Sequence, residues 1–207
     1  SMSGRVLGFG GRILDNSKKN IAKYINSPES IIYQKSKVLY GIFEGKQSIV
    51  KNDNCFLVEG YTDVIKMHQS GINNVVSSSG TALTENQIRL IRRLTKNITV
   101  LFDGDAAGSR ATLRGIDLIL AQDMNVQICN LPNGEDPDSF VSEKRLEDIQ
   151  DFFNSNSKDF IVYKASLLLN DSENDPVKKA SVIRDIVESI SKVSDFIKRE
   201  LYIKECS

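Results

Sequence analysis

The chain has 207 residues, 40% of them hydrophobic and 26% charged, with 27 basic and 27 acidic residues in formal balance. This composition excludes a disordered or fibrous chain and leaves room for one large domain or two small ones. No apolar run approaches the roughly 20 residues of a membrane-spanning helix. Three scattered cysteines and a single histidine, His68, argue against a zinc cluster or a disulfide framework, so a reducing cytoplasm is the expected location. Ser1-Met2 looks like the remnant of an expression tag and not like a signal peptide.

The charge balance is not uniform. Residues 1–52 hold nine basic residues against three acidic ones, whereas residues 53–140 hold seven against eleven. A basic lobe beside an acidic centre suits a polyanion held against bound metal ions; the alternative is a solvated basic surface with no partner.

Taken in order, residues 4–14 read as two short β segments joined by a glycine turn. Their glycines form neither a Walker loop nor a dinucleotide fingerprint. Lys23-Tyr24-Ile-Asn26-Ser-Pro28-Glu29 is a polar turn whose lysine, ring and amide suit a phosphate, a base face and a sugar. The same residues also read as a proline turn with a packed tyrosine. Residues 38–43 give a helical apolar stripe.

From Asn54 the pattern alternates strand and helix. Strands are expected at 55–58, 74–77, 98–102 and 126–131. The helix at 61–70 carries Val64, Ile65 and Met67 inward and closes at Gly71. His68 lies in it and is assigned no role. Thr84-x-x-Gln87 is a capping-box start to a helix with Ile88, Ile91 and Leu94 on its core face. A helix over 108–123 presents Leu113, Ile116 and Leu120. Beyond Ser139 no strand is convincing, and amphipathic helices are expected at 140–156, 160–169 and 176–206.

Such alternation implies a largely parallel sheet with right-handed crossovers, so strand ends of one polarity share one edge. Three of those ends are acidic: Glu59, the Asp103-Gly-Asp105 pair, and Asp136-Pro-Asp138. Five carboxylates would converge there and repel one another unless a cation sits among them. Oxygen-only donors point to Mg²⁺ or Mn²⁺ and not to zinc. Gly104 opens the first pair to close approach and Pro137 stiffens the second. The competing account of Asp103 and Asp105 is a polar turn, with Asp105 capping the next helix.

These residues resemble a known family. Glu59-Gly-Tyr-Thr-Asp63, Phe102-Asp103-Gly-Asp105-Ala-Ala-Gly108 and Gly134-Glu-Asp136-Pro-Asp138 are similar to the TOPRIM metal site of bacterial replicative DNA primases. Upstream, Arg5-Val-Leu-Gly-Phe-Gly-Gly-Arg12 and the Lys23 segment look like that family's basic lobe, in the same order and spacing.

The resemblance implies an α/β TOPRIM-type parallel sheet flanked by helices over residues 53–140. It also implies a small mixed α+β basic segment over 1–52 and an all-helical subdomain over 141–207. It further implies an RNA polymerase core making short primers on single-stranded DNA from ribonucleoside triphosphates by two-metal chemistry. By that similarity Glu59, Asp103 and Asp105 are catalytic metal ligands, extended by Asp136 and Asp138. Glu59 is open between ligand and proton acceptor. Lys23 and Lys35 match positions near nucleotide or template, Tyr24 and Asn26 share their segment, and Arg5 and Arg12 suit phosphate backbone. Nucleotide alarmones are expected to compete at Lys23 and Lys35. The family's zinc-binding and helicase-binding regions are not represented, so the sequence reads as an excised core.

Three other readings compete. TOPRIM sites also serve topoisomerases and nucleases, but the block over residues 5–29 fits primase and has no evident role there. A non-catalytic module would use the acids only to hold nucleic acid. A haloacid-dehalogenase-type phosphatase would want a threonine or valine shortly after its second aspartate, where this chain has Ala106-Ala107.

Overall fold

The computed structural model of the protein describes residues 1–12, 24–78, 82–102, 110–170 and 176–206. Strand β1 (Gly10–Arg12) pairs antiparallel with β2 (Tyr24–Asn26), Gly11 opposite Ile25. A short 3₁₀ turn (Lys35–Lys37) leads to α1 (Ile42–Asn52). The alternating part then runs β3 (Cys55–Val58), α2 (Tyr61–Gln69), β4 (Val75–Ser77), α3 (Glu85–Arg92), β5 (Asn97–Phe102), α4 (Arg110–Leu120) and β6 (Asn125–Asn130). After it come α5 (Pro137–Ser142), α6 (Leu146–Asn156), β7 (Ser157–Asp159), α7 (Phe160–Asn170), α8 (Pro176–Ser191) and α9 (Phe196–Glu205).

The main sheet has the order β4-β3-β5-β6-β7. Its first four strands are mutually parallel, so β3, β4, β5 and β6 all end on one edge. β5 is central, with every residue from Ile98 to Phe102 buried, which explains its unbroken apolar run. Helices cover both faces. On one face Ile88, Ile91, Ile116, Ile119, Phe160, Ile161 and Ile186 pack over Val100 and Ile128. On the other, Val64, Met67, Phe140, Ile149 and Phe153 pack over Val58 and Leu101. Each fully buried isoleucine contributes about 2 kcal/mol to that double layer.

Several local readings change. Of residues 4–14, only Gly10–Arg12 is a strand among those described, and its partner is Tyr24–Asn26. The earlier glycines serve a different purpose. A Cβ on Gly8 would lie 3.0 Å from the Tyr33 ring and one on Gly4 2.7 Å from Phe43, so this backbone lies against aromatic faces. Ile65, expected inside, is 44% exposed, because the α2 stripe runs through Val64 and Met67. Leu113 has no described side chain. The helices expected at 140–156 and 176–206 each break in two. In the second case Asp195 accepts from the Ile197 and Lys198 amides at 2.9 and 3.1 Å and starts α9.

The region expected to be all-helical also supplies one strand. Ser157–Asp159 adds antiparallel to Gln127–Cys129 at the sheet edge. Three polar residues carry no apolar alternation, and a short, charged edge strand of this kind discourages further pairing.

A buried polar network joins α4, α7 and α8. Ser189 Oγ donates to Asp117 Oδ1 at 2.6 Å, Lys164 Nζ donates to Ser189 Oγ at 2.6 Å, and Lys192 Nζ lies 3.3 Å from Asp117 Oδ2.

Candidate metal and nucleic-acid site

The carboxyl edge of the sheet is built around the first turn of α2. β3 ends at Val58, Glu59 follows as an exposed side chain, and Gly60 caps the helix in extended conformation. The Gly60 amide donates to Asp63 Oδ2 at 2.8 Å, folding that carboxylate back over the turn. On β6's side of the edge, Asp136 caps α5, its Oδ1 accepting from the Ser139 amide at 2.7 Å. Pro137 occupies the first turn, where its missing N–H costs nothing. α5 packs on α2, and Asp138 Oδ1 lies 3.9 Å from Lys66 Nζ.

This packing concentrates negative charge. The Asp63 carboxyl is raised from its ordinary value, first by burial; the Gly60 N–H pulls it back down, and Asp136, Asp138 and Glu59 push it up again. Glu59, Asp136 and Asp138 therefore share one electrostatic neighbourhood, as their strand-end positions predict. Asp63 was not assigned a role in the sequence, although the Gly60-x-x-Asp63 spacing is a capping-box signal. Asp103 and Asp105 lie outside the described residues, beyond Phe102 at the end of the central strand. Among the described residues no three His, Cys, Asp or Glu side chains stand close enough to hold a metal ion.

The same helical turn holds the basic segment. Tyr61 Oη donates to Asn26 Oδ1, and Arg12 Nη1 donates to Thr62 Oγ1 at 3.5 Å. A Cβ on Gly10 would meet the Tyr61 ring at 2.7 Å, so β1 lies flush on that ring. Tyr61 also packs edge-on to Tyr40, ring centroids 4.9 Å apart. Arg12 and Asn26 thus sit beside α2's acids, with Tyr24 opposite Arg12 in the strand register. Lys23 lies outside the described residues.

Lys35 and Arg5 line a cavity of about 520 Å³ together with Tyr33, Tyr40 and Tyr61. Burial, with the charges of Glu29 and Glu44 nearby, raises the Tyr33 and Tyr40 phenols, which therefore stay protonated donors at neutral pH. The Lys35 amide donates to Glu29 Oε1 at 2.9 Å, and that lysine's ammonium has no ion-pair partner among the described residues. Arg5 is exposed.

A parallel β4-β3-β5-β6 order with acids following β3 and preceding α5 defines a TOPRIM-type α/β unit, and residues 56–141 match the family described as Toprim-like. Residues 1–46 match the N-terminal domain of the DNA primase catalytic core. The DNA primase of Clostridium acetobutylicum is 40% identical over 210 residues, covering 99% of this chain and 33% of that protein. A DNA primase domain from Pseudomonas aeruginosa superposes with TM-score 0.86 at 33% identity, over 100% of this chain and 65% of that one. A DnaG primase catalytic domain solved with bound single-stranded DNA gives TM-score 0.84 at 32% identity, over 99% and 66%. The chain belongs to the bacterial DNA primase family, within its catalytic core. It spans about a third of the length of the curated primases it matches.

Proposed function

We propose that the chain is the TOPRIM-centred part of a primase core that joins ribonucleotides on a single-stranded DNA template. The observation that carries this reading is the first turn of α2. Asp63 lies in it and Glu59 just before it, and the charges of Glu59, Asp136 and Asp138 all reach Asp63, while Tyr61 and Thr62 hold Asn26 and Arg12 of the basic segment. A polyanion placed there meets cations on one side and, on the other, acids that need a cation to coexist. The match of residues 1–46 to a primase-specific domain supports this over a topoisomerase or nuclease use of the same acids.

In this reading residues 1–52 are the basic segment, 53–140 the TOPRIM unit and 141–207 the helical subdomain. Glu59, Asp103, Asp105, Asp136 and Asp138 hold Mg²⁺, with Mn²⁺ able to substitute. The oxygen-only donor set fits a hard divalent ion, as do the charges of Asp136, Asp138 and Glu59, which add to the burial that raises Asp63. When bound, such ions make the primer 3′-hydroxyl more acidic and neutralise the triphosphate. Asp63, already hydrogen-bonded to Gly60, keeps the α2 turn in register behind Glu59. Arg5 and Arg12 take template phosphates, and Lys23, Tyr24, Asn26 and Lys35 take the incoming nucleotide, where alarmones compete. The replicative helicase binds elsewhere in the whole primase, and the setting is cytoplasmic. No helix among the described residues is long and apolar enough to cross a membrane.

The test is calorimetric titration of Mn²⁺ into the protein with and without ATP, followed by template-directed synthesis. The expected result is metal binding that ATP tightens and that Asp103→Ala abolishes. An ion that fails to bind even with ATP present removes the metal-centred reading of the acids.

A further inference from the structure

We propose that Gln87 is a positioning residue for Lys35, so that the capping box starting α3 also sets the basic turn at residues 35–38. The inference rests on the reading of Lys35 as a nucleotide contact. Gln87 is 0% exposed, although it is polar and sits in the first turn of a surface helix. An ordinary capping box needs only an acceptor at this position, which glutamate supplies equally well. Here the acceptor function is present, Gln87 Oε1 taking the Thr84 amide at 3.0 Å. The amide nitrogen is used as well. Gln87 Nε2 donates to Lys35 O at 3.0 Å and to Val38 O at 2.9 Å.

Thr84 completes the clamp. Its Oγ1 donates to Ser36 O at 2.6 Å while accepting from the Gln87 amide at 3.3 Å. Three carbonyls of the basic turn are therefore held by two side chains from one helix start, about fifty residues away in the chain. Glu29 holds the same turn from the other side through the Lys35 amide. A lysine on a flexible stem binds an anion better when its backbone is already fixed, because less freedom is lost on binding. Lys35 lines the cavity shared with Tyr33 and Tyr61, so its main chain being fixed fixes the anchor of a charge in that wall. A glutamate at 87 would turn a carboxylate oxygen toward two carbonyls, which explains the amide.

ATP binding measured by calorimetry in Mg²⁺ tests this in the wild-type chain, Lys35→Ala, Gln87→Met, Thr84→Val and the Lys35→Ala/Gln87→Met double variant. Gln87→Met should weaken ATP binding by roughly threefold to tenfold, the equivalent of one hydrogen bond, and Thr84→Val should act in the same direction. In the Lys35→Ala background Gln87→Met should cost nothing further. Amide hydrogen exchange at residues 35–38 should quicken in Gln87→Met but not in Lys35→Ala. Unchanged ATP affinity in Gln87→Met, with Lys35→Ala still weakened, overturns the positioning role and leaves Lys35 as a contact. Losses that multiply in the double variant place Gln87's effect elsewhere and also overturn it. If Lys35→Ala binds ATP normally, the reading of Lys35 falls and the role of Gln87 with it. Should Gln87→Met not fold, Thr84→Val alone and combined with Lys35→Ala carries the same comparison.

Discussion

Lys164→Met tests whether the helices after the sheet are locked to it by charge. The side chains of Lys164 and Asp117 are 7% and 8% exposed, and their direct contact is 3.5 Å, with Ser189 bridging them at 2.6 Å on either side. Methionine keeps much of the apolar stem and removes the ammonium. Breaking one side of a buried ion pair costs about 3–5 kcal/mol, because the remaining charge stays out of water. Lys192, 30% exposed and 3.3 Å away, still faces Asp117 and moves the expectation to the low end, about 3 kcal/mol. In a chain of this size that corresponds to a Tm lowered by roughly 6–12 °C. Urea and thermal unfolding of Lys164→Met, Asp117→Leu and the double variant measure it. The double variant should lose much less than the sum of the singles, since neither charge is then stranded. A single variant costing under about 1 kcal/mol, or an additive cycle, would refute the claim that this pair is coupled.

Two further outcomes follow from the edge itself. The Asp63 carboxyl is raised, so the folded state holds its proton more tightly than the unfolded chain does. Stability is then unpenalised below the unfolded value near pH 4 and falls as pH rises through the raised folded value. Asp63→Asn keeps an oxygen for the Gly60 amide and removes the charge. In metal-free buffer its Tm advantage over wild type should grow between about pH 4 and pH 7, and a pH-independent difference would refute the cause given. Gly10→Ala forces a Cβ to within 2.7 Å of the Tyr61 ring, an overpacking that costs about 1–3 kcal/mol locally. Faster hydrogen exchange in residues 1–12, with the main sheet unaffected, is the expected signature; unchanged exchange there would contradict the close fit.

Much of this architecture was readable because it is carried by periodicity and by short-range chemistry. The apolar run ending at Phe102 is a buried central strand, and Thr84-x-x-Gln87 is a capping box with the expected reciprocal bonds. Glu59 and Asp136 both act on the Asp63 carboxyl because parallel strands end together, which follows from strand–helix alternation alone. What stayed hidden depends on partners remote in sequence. β7 has no apolar pattern, since an edge strand of three residues needs only its neighbour's backbone. Asp117, Lys164 and Ser189 look like surface polar residues until α4, α7 and α8 are packed together. The second duty of Gln87 is invisible for the same reason: its carbonyl partners belong to a turn that no local pattern links to α3.

The first turn of α2 shows why a basic segment with few core residues can still be placed against the acidic edge. β1 and β2 are too short to be stable as an isolated pair. Their position is set instead by glycines that let backbone lie on aromatic rings, and by Tyr61 and Thr62 reaching Asn26 and Arg12. Tyr61 and Thr62 lie between Glu59 and Asp63 in the chain, so the residues that hold Asn26 and Arg12 are interleaved with acidic ones. Displacing β1 or β2 must then pull on the turn that presents Glu59. Moving the acids must likewise disturb the anchor of Arg12 and Asn26. If the basic segment binds a polyanion and the acids a cation, as proposed above, this shared turn couples the two events, and substitution at Tyr61 should weaken both where substitution at Lys35 weakens only the first.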